Sequence, residues 1–413
     1  MRDQGDPNRH DPSPPYLPRL GPKQEVKIAL VHKRLELRGG TERVFYRTAE
    51  GLRERGHEIH LFCGAFRIPP PAGVVSHRVP HIPFPRTAQL LSFALMAPKI
   101  VERYSCDVVM SFSRITRQDI FRSGGGPHRA FREKMMRQSS FWRRLWYRFS
   151  VYHHSVLALE QRQLGPQGCR RIIAVSDQGR REMIDYCQVP EDKVLVIHNG
   201  VDHKRFHPGH RLMQGNEIRE KLGIPPQSQV VLFVGTGFRR KGLDRLLPLW
   251  RSPELQDVYL LVVGDDAKLS FYRRFFANRT IFFLGAQKNI EDYYAAADLF
   301  VLPSTQEAFG NVVLEALASG LPVVTVPEVG ATEKIAGELR EGMLLNRDDP
   351  EEIKRKILHL LDRKRWPILS AAARATAEKY SWENYFAELE KQLLEAAERK
   401  AKIPTAWLFA HDS

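Results

Sequence analysis

The most constraining feature of the sequence is a series of short, continuously apolar segments that alternate with helical stretches. In the first half these segments are VKIALV at 26–31, EIHLFC at 58–63, CDVVMSF at 106–112, RIIAVS at 171–176 and KVLVIHNG at 193–200. Strands that are apolar throughout are buried on both faces, and helices between them provide parallel crossover connections. The first half therefore predicts a parallel sheet that is covered by helices on both sides.

The same pattern restarts after a short polar connection at 201–208. Five further apolar segments follow, at 229–235, 258–264, 280–285, 299–304 and 322–326. This arrangement predicts α/β architecture with two doubly wound, Rossmann-like domains in series, at 26–200 and 209–380, joined by a linker at 201–208.

The two ends of the chain differ from these domains. Residues 1–25 are rich in proline and charge and contain no apolar core, which predicts a disordered lead-in rather than a signal peptide. The stretch 381–413 begins as a long amphipathic helix and ends in a tail. Since no run of about 18–20 apolar residues occurs, we expect a soluble or peripheral protein.

Charge is distributed unevenly along the 413 residues. The net charge is +15, and residues 1–200 hold 33 basic and 19 acidic residues, a net of +14. This asymmetry predicts that the first half meets an anionic surface, either a membrane or a nucleic acid. The four cysteines are scattered without a C-x-x-C pair, which fits a reducing cytosol and argues against a zinc knuckle or a disulfide framework.

The sharpest motif is PSTQEAFGNVVLEALASGLPVV at 303–324, in which Glu307 and Glu315 are separated by seven residues. We expect Glu307 in the loop after a strand and Glu315 inside the following helix. Backbone amides at the start of that helix favour an anionic or oxygen-rich ligand. The four amides are those of Phe309, Gly310, Asn311 and Val312. The other interpretation is two solvated carboxylates near a helix N-terminus, which the helix dipole already favours.

Two smaller motifs are compatible with phosphate binding. FVGTGFRRKGLDRLL at 233–247 places Gly235 at the end of a strand and Arg240 and Lys241 in the turn that follows. Adjacent arginine and lysine side chains suit a diphosphate, although a solvated basic turn is the commoner role of such a triplet. Gly39 and Gly40 precede a helix and would allow a close approach to a ligand, but a plain turn explains them equally well.

The segment 122–154 combines eight basic residues with one acid and seven interleaved aromatic side chains. Basic residues beside an aromatic helix face favour an interfacial membrane helix. The residues assigned to membrane binding are Arg137, Phe141, Trp142, Arg143, Arg144, Trp146, Arg148 and Phe149. Packing of the apolar face into the domain core is the main alternative. Nucleic-acid binding is disfavoured because the sequence contains no recognisable DNA- or RNA-binding module.

Together these motifs resemble the family-4 retaining glycosyltransferases of the GT-B fold, and among them the bacterial lipopolysaccharide-core glucosyltransferases. The matching segments are RGGTERVF, IHNGVDHKRFHP, VGTGFRRKGLDRLL, EAFGNVVLEALASGLPVV and SWENY. The resemblance implies two domains that face a cleft, and a C-terminal helix that crosses back to the first domain.

The resemblance also implies roles for individual residues. Arg240 and Lys241 match the family's diphosphate-binding pair, Glu315 the ribose-binding glutamate, and Glu307 the carboxylate that meets the donor sugar. Gly39 and Gly40 match the glycine loop that approaches the diphosphate. Asp119 matches an acidic residue of the cleft. With these residues the catalytic set is Glu307, Asp119, Arg240 and Lys241.

The implied activity is metal-independent transfer of a hexose, with glucose from UDP-glucose expected, to a lipid-linked glycan. The expected acceptor is the lipopolysaccharide core at the cytoplasmic face of the membrane, and the expected partners are a nucleotide sugar, an anionic glycolipid and an anionic membrane. Neither a metal site nor a further cofactor is expected, because no D-x-D or H-E-x-x-H motif occurs. Alternatives are a mannosyl- or other hexosyltransferase with a different acceptor, or a non-catalytic protein that binds sugar nucleotides or membranes.

Overall fold

Two parallel sheets, one in each half of the chain, organise the molecule. The computed structural model describes residues 25–402 apart from 38, 138–140 and 306, and it does not describe the side chains of residues 137 and 143. The predicted lead-in and most of the predicted tail therefore lie outside the described residues.

The first sheet has seven strands and the second has five, all paired in parallel. The strands of the first are β1 Lys27–Leu35, β2 Glu58–Phe66, β3 Val75–Arg78, β4 Val108–Ser111, β5 Ile120–Ser123, β6 Arg171–Ala174 and β7 Val194–Val196. Those of the second are β8 Val230–Val234, β9 Tyr259–Val263, β10 Ile281–Gly285, β11 Leu299–Leu302 and β12 Val323–Thr325.

Helices connect the strands within each half. The first half contains α1 Gly40–Glu54, α2 Arg86–Glu102, α3 His128–Arg137, α4 Phe141–Phe149, α5 Val151–Leu164 and α6 Asp177–Cys187. The second half contains α7 Gln214–Lys221, α8 Phe238–Lys241, α9 Leu243–Leu246, α10 Leu269–Phe276, α11 Ile290–Ala296, α12 Asn311–Ala318, α13 Pro350–Leu360, α14 Trp366–Ala377 and α15 Trp382–Ala401.

Both sheets are doubly wound, as the sequence predicts. The strand orders are β3-β2-β1-β4-β5-β6-β7 and β10-β9-β8-β11-β12, so the order reverses between β1 and β4 and between β8 and β11. Every residue of β8 and β11, the central strands of the second sheet, is buried because helices cover both faces. Ligands of such sheets bind at the carboxyl ends of the strands where the order reverses.

Two short strands were not predicted. β3 is an edge strand with mostly exposed residues, so it lacks the apolar run of a buried strand. β5 is buried at all four positions, but it contains Arg122, a residue that strand patterns do not include. The predicted limits of the linker remain a prediction, since the sheets show only that the second half begins between β7 and β8.

The last helix crosses back to the first domain, as expected. Five residues of α15 belong to the apolar core of the first sheet, namely Tyr385, Phe386, Leu389, Leu393 and Ala396. The Tyr385 hydroxyl lies 2.8 Å from the Thr48 hydroxyl of α1. Ser381 caps the helix by accepting a hydrogen bond from the Asn384 amide at 3.0 Å. No helix in the described part of the chain has the length and apolarity that a membrane span requires.

Candidate functional site

The loop and helix after β11 form one wall of a cleft at the carboxyl edge of the second sheet. Helix α12 begins at Asn311, directly after Gly310, whose φ of +81° is in the left-handed region. A Cβ atom on Gly310 would lie 2.5 Å from Val329 Cγ1 and 3.2 Å from Glu307 Cγ. Glycine therefore lets the loop turn tightly into the helix and lets Glu307 approach the first turn.

Glu307, Lys241 and Arg240 meet in this cleft. Lys241 Nζ donates to Glu307 Oε2, and Arg240 Nη1 lies 3.8 Å from the same oxygen. Lys241 is buried, and this burial lowers its pKa although the Glu307 carboxylate opposes the shift. The Lys241 side chain also passes close to Gly235 at the end of β8, where a Cβ atom would lie 3.1 Å from Lys241 Cγ. The two predicted phosphate ligands thus converge on the predicted sugar-facing carboxylate.

Glu315 lies deeper, one helix turn and a half into α12. The Tyr294 hydroxyl donates to its Oε2 at 3.0 Å, and Arg43 Nη1 of the first domain lies 4.0 Å from its Oε1. Burial raises the pKa of Glu315, and the nearby Arg43 charge opposes this rise. A carboxylate with a free lone pair beside the cleft can accept hydrogen bonds from sugar hydroxyls.

The glycine loop of the first domain faces the start of α12. A Cβ atom on Gly40 would lie 3.3 Å from Asn311 Nδ2, and Asn199 Nδ2 donates to Asn311 Oδ1 at 2.7 Å. Gly39 precedes α1 as its N-cap. The N-termini of α1 and α12 therefore approach each other across the cleft, and both favour an anion between them.

The remaining predicted donor residues belong to the same segment but have different roles. The Phe309 ring is buried and packs 5.9 Å from the Tyr380 ring, so this side chain belongs to the core. Asn311 and Val312 occupy the first turn of α12, where the helix supplies no partner for their amides.

Asp119 does not lie in the cleft, which corrects its predicted role as a cleft residue. It immediately precedes β5, so it sits at the amino ends of the strands, opposite the edge that carries the other residues. Its carboxylate accepts a hydrogen bond from the Val109 amide at 2.9 Å, and its own amide donates to the Val109 carbonyl at 3.0 Å. Asp119 therefore fixes the pairing of β4 with β5.

The first domain contains a large basic cavity that sequence reasoning missed. Its volume is about 840 Å³ and Thr41 and Gly124 are part of its lining. Six basic side chains line it, namely Lys33, Arg34, Arg67, Arg78, Arg86 and Arg114. Several of them lie at or just after the carboxyl ends of β1, β2 and β3. Because the carboxyl ends of parallel strands meet at one edge of a sheet, their positions in the sequence could have identified them as neighbours.

The cavity contains a single acidic side chain, Glu42 of α1. Its carboxylate lies 3.7 Å from the buried His32 ring, and this neighbour lowers the pKa of Glu42 to about 2. Glu42 is therefore directed at His32 rather than at the arginines. Among the described residues, Lys33, Arg67, Arg78 and Arg86 form no ion pair, so the cavity suits an anionic ligand.

The aromatic face of α4 is open to solvent. Trp142 is 76% exposed and Phe149 70%, with Phe141 and Trp146 also exposed, whereas Tyr147 is buried. Arg144 and Arg148 are exposed as well, while the side chains of Arg137 and Arg143 lie outside what the structure describes. This exposure argues against the alternative in which the aromatic face packs into the core.

A second exposed apolar patch, which the sequence did not indicate, lies at 82–95. Its members are Ile82, Phe84, Leu91 and Leu95, and Phe84 is 80% exposed. Pro83 and Arg86 of this segment line the basic cavity, and so does Tyr152 at the start of α5. Exposed apolar residues therefore flank the cavity on two sides.

One group in the described chain has the spacing of metal ligands. Asp177, His198 and Glu333 offer atoms that all lie within 4.8 Å of one another. His198 Nε2 is 2.8 Å from Glu333 Oε2, and the Gln178 amide donates to Glu333 Oε1 at 3.3 Å. These contacts join α6 and the end of the first domain to the second, which is a structural role.

Comparison with known families matches both halves of the chain. The family model described as Glycosyltransferase Family 4 matches residues 38–205, and the model described as Glycosyl transferases group 1 matches residues 214–380.

Two curated relatives illustrate the range of similarity. The chain is 26% identical to the lipopolysaccharide glucosyltransferase WaaG of Escherichia coli K12 over 308 residues, which cover 72% of this chain and 79% of that protein. It is 33% identical to the sulfoquinovosyl transferase SQD2 of Arabidopsis thaliana over 232 residues, covering 52% of this chain and 44% of that protein.

Solved structures share the two-domain fold. A crystal structure of WaaG, a glycosyltransferase involved in lipopolysaccharide biosynthesis, superposes with a TM-score of 0.74 at 21% identity, over 91% of this chain and 100% of that one. A crystal structure of Anabaena Alr3699/HepE in complex with UDP-glucose superposes with a TM-score of 0.65 at 19% identity, over 92% and 100%.

Proposed function

Since the chain belongs to the GT-B glycosyltransferases, with a family-4 domain followed by a group 1 domain, we propose that it transfers a hexose from a nucleotide sugar to a lipid-linked anionic glycan. The transfer retains the anomeric configuration and uses neither a metal ion nor another cofactor. The donor is UDP-glucose, the acceptor is the lipopolysaccharide core, and the enzyme works on the cytoplasmic face of the membrane as a peripheral protein.

The observation that carries the proposal is the convergence of Arg240, Lys241 and Glu307 at the start of α12, opposite the Gly40 loop. A diphosphate leaving group gains negative charge as its bond to the sugar breaks. The arginine, the lysine and the helix amides stabilise that charge, so a metal ion is not required. Lys241 must then divide its hydrogen bonds between Glu307 and the diphosphate.

The reaction proceeds on one face of the sugar. The bond between the anomeric carbon and the phosphate oxygen breaks, and the acceptor oxygen bonds to that carbon on the same face. The acceptor proton passes to the leaving phosphate oxygen, and the attack on the same face accounts for retention. Glu307 positions the sugar and is not the nucleophile; a covalent sugar adduct on Glu307, trapped and found by mass spectrometry, would contradict this assignment.

The choice of donor and acceptor has separate support. Alr3699/HepE, whose fold matches, was crystallised with UDP-glucose. The basic cavity suits an acceptor that carries phosphate or carboxylate groups. The exposed aromatic residues of α4, together with Arg144 and Arg148, suit an anionic bilayer surface from which a lipid-linked acceptor can reach the cavity.

The decisive experiment measures UDP release from UDP-glucose with and without rough lipopolysaccharide. Acceptor-dependent release supports the proposal. Release with a different nucleotide sugar or acceptor would indicate another hexosyltransferase, and binding without hydrolysis or transfer for any donor would indicate a non-catalytic protein. A panel of donors in a thermal-shift assay provides the binding control.

A further inference from the structure

Arg122 in β5 is a buried cation without a counter-charge. It is 1% exposed and is among the largest fully buried side chains of the protein. Its guanidinium carbon lies 5.1 Å from the centroid of the Phe112 ring and 5.8 Å from that of the Tyr385 ring. No carboxylate in the described part of the chain forms an ion pair with it, and its Nε atom is buried without a hydrogen-bond partner.

Such a residue is unfavourable for stability. Moving a charge out of water costs free energy that only an opposite charge or several hydrogen bonds can offset, and the ring faces offset it in part. Burial lowers the pKa of Arg122, yet arginine stays protonated inside proteins. The fold therefore retains a positive charge that no carboxylate among the described side chains neutralises.

The guanidinium is connected to the cleft through two side-chain amides. Arg122 Nη2 donates to Asn199 Oδ1, and Asn199 Nδ2 donates to Asn311 Oδ1 at 2.7 Å. Asn311 is the first residue of α12, and its Nδ2 atom faces the Gly40 loop. These two hydrogen bonds form a relay that begins at Arg122 in the first domain. The relay ends at the start of α12, which is part of the cleft wall in the second domain.

The arginine sets the direction of every bond in this relay. A guanidinium has only donors, so the oxygen of Asn199 must face it, and the Asn199 amino group must face Asn311. The Asn311 oxygen is then occupied, which leaves its amino group directed into the cleft. An N–H donor at that point, between the N-termini of α1 and α12, favours an anion.

We propose that Arg122 is a positioning residue of the donor site, which orients Asn311 towards the donor diphosphate and supplies the positive charge that the diphosphate neutralises. The inference rests on the proposed function, because it takes a nucleotide sugar as the donor. Because the relay runs from β5 through Asn199 to α12, it also connects a bound diphosphate to both domains.

The test compares UDP with uridine, which shares the base and ribose but lacks the diphosphate. Arg122→Met keeps the volume and removes the charge. We expect it to weaken UDP binding about tenfold or more, to change uridine binding less than about twofold, and to leave Tm unchanged or raised. Arg122→Lys, which keeps the charge, recovers part of the UDP affinity. Titration calorimetry supplies both dissociation constants.

Two further variants separate positioning from folding. Asn199→Asp gives Arg122 a carboxylate of the same shape, and we expect Tm to rise while UDP binding weakens. Arg219→Met removes a buried arginine that pairs with Asp298 at 2.8 Å, at the amino edge of the second sheet. This control lowers Tm, because Asp298 loses a partner, and leaves the ratio of UDP to uridine affinity unchanged.

The outcomes distinguish this inference from the proposed function. Equal weakening of UDP and uridine by Arg122→Met, or no weakening of either, overturns the role of Arg122 and leaves the glycosyltransferase proposal intact. If the unaltered protein binds GDP or ADP instead of UDP, the donor proposal is wrong and the same comparison is made with that nucleotide and its nucleoside. Absence of binding for all three overturns both.

Discussion

At the residue scale, two carboxylates of the cleft, those of Glu307 and Glu315, lie next to basic side chains. Glu307 is paired with Lys241, and Glu315 lies 4.0 Å from Arg43 of the opposite domain. Without a donor, these pairs keep the buried charges compensated. The proposed diphosphate would share Lys241 with Glu307, and the remaining lone pairs of Glu307 and Glu315 would accept hydrogen bonds from sugar and ribose hydroxyls.

The raised pKa of Glu315 predicts pH-dependent ribose binding. A buried carboxyl stays protonated to higher pH than an exposed one, and the ionised form is the stronger acceptor for hydroxyl groups. We expect uridine affinity of the unaltered protein to fall as the pH drops from about 8 to about 5. Uridine is the probe because it has no phosphate that titrates in this range.

Glu315→Gln is the control for this effect. It cannot ionise, so uridine should bind it more weakly at neutral pH and with an affinity that does not change over the same pH range. Uridine affinity of the unaltered protein that stays constant with pH would contradict the assignment of Glu315 to the ribose. Arg205, whose charge also opposes the rise of the Glu315 pKa, has a raised pKa of its own because it is hydrogen-bonded to Glu291.

At the element scale, two amphipathic helices, α4 of the first domain and α15 packed against it, place their apolar faces differently. Helix α4 presents Trp142 and Phe149 to solvent although its other features are those of an ordinary amphipathic helix. Helix α15 instead buries its apolar residues on the first sheet. The amphipathic pattern alone does not distinguish an exposed apolar face from a packed one, because the apolar residues have the same spacing in both helices.

Exposed aromatic residues on α4 should govern membrane binding. We expect the double variant Trp142→Glu/Phe149→Glu to reduce partitioning to anionic vesicles by about tenfold or more, since it replaces apolar contact with repelled charge. Co-sedimentation measures the bound fraction, and UDP binding should not change. The matched control is Phe271→Glu/Phe275→Glu on α10, where both rings are also exposed. If both double variants lost the same amount of vesicle binding, the loss would result from the added negative charge and not from the position of the aromatic residues on α4.

The contact between α1 and α15 depends on a glycine in the last turn of α1. A Cβ atom on Gly51 would lie 2.0–2.6 Å from three carbons of the buried Phe386 ring. Alanine favours a helix by about 1 kcal/mol, but overpacking costs about 1–3 kcal/mol. We expect Gly51→Ala to lower the free energy of unfolding by up to about 2 kcal/mol in denaturant titrations. Adding Phe386→Leu should recover most of this loss, and a stabilised single variant would show that the helices separate easily.

At the scale of the whole molecule, charge and cavity lie in the same half. Residues 1–200 carry a net charge of +14 and the remainder carries +1. Part of this excess lines the cavity and part lies around α4. If the functions proposed above are correct, attraction to an anionic surface belongs to the positive domain and nucleotide binding to the almost neutral one.

This separation predicts different responses to salt. Raising ionic strength from about 0.1 M to about 1 M shortens the screening length from about 10 Å to about 3 Å. Vesicle binding should therefore fall by about tenfold or more, because several exposed basic side chains act together. Uridine binding, which involves no net ligand charge, should change little. Vesicle binding that persists at high salt would indicate purely apolar insertion.

The sequence by itself determined the two sheets and most of the cleft wall that the loop after β11 and helix α12 form. Continuous apolar segments that alternate with helical stretches favour buried parallel strands, and the pattern around Glu307 and Glu315 favours a loop position for the first and a helix position for the second. Both inferences use local rules, which depend only on residues that are close together in the sequence, through the burial of a strand and the geometry of a helix. The same rules missed β5, because Arg122 does not fit a buried strand.

Only the tertiary structure decided which distant residues meet. Asp119 has a plausible sequence context, yet its strand position directs it to the edge away from the cleft. Asn199 and Asn311 are 112 residues apart but share a hydrogen bond. The basic cavity likewise collects side chains from several strand ends. Such contacts depend on strand order and on how the domains pack, and these follow from the burial of the whole chain, which no local pattern contains.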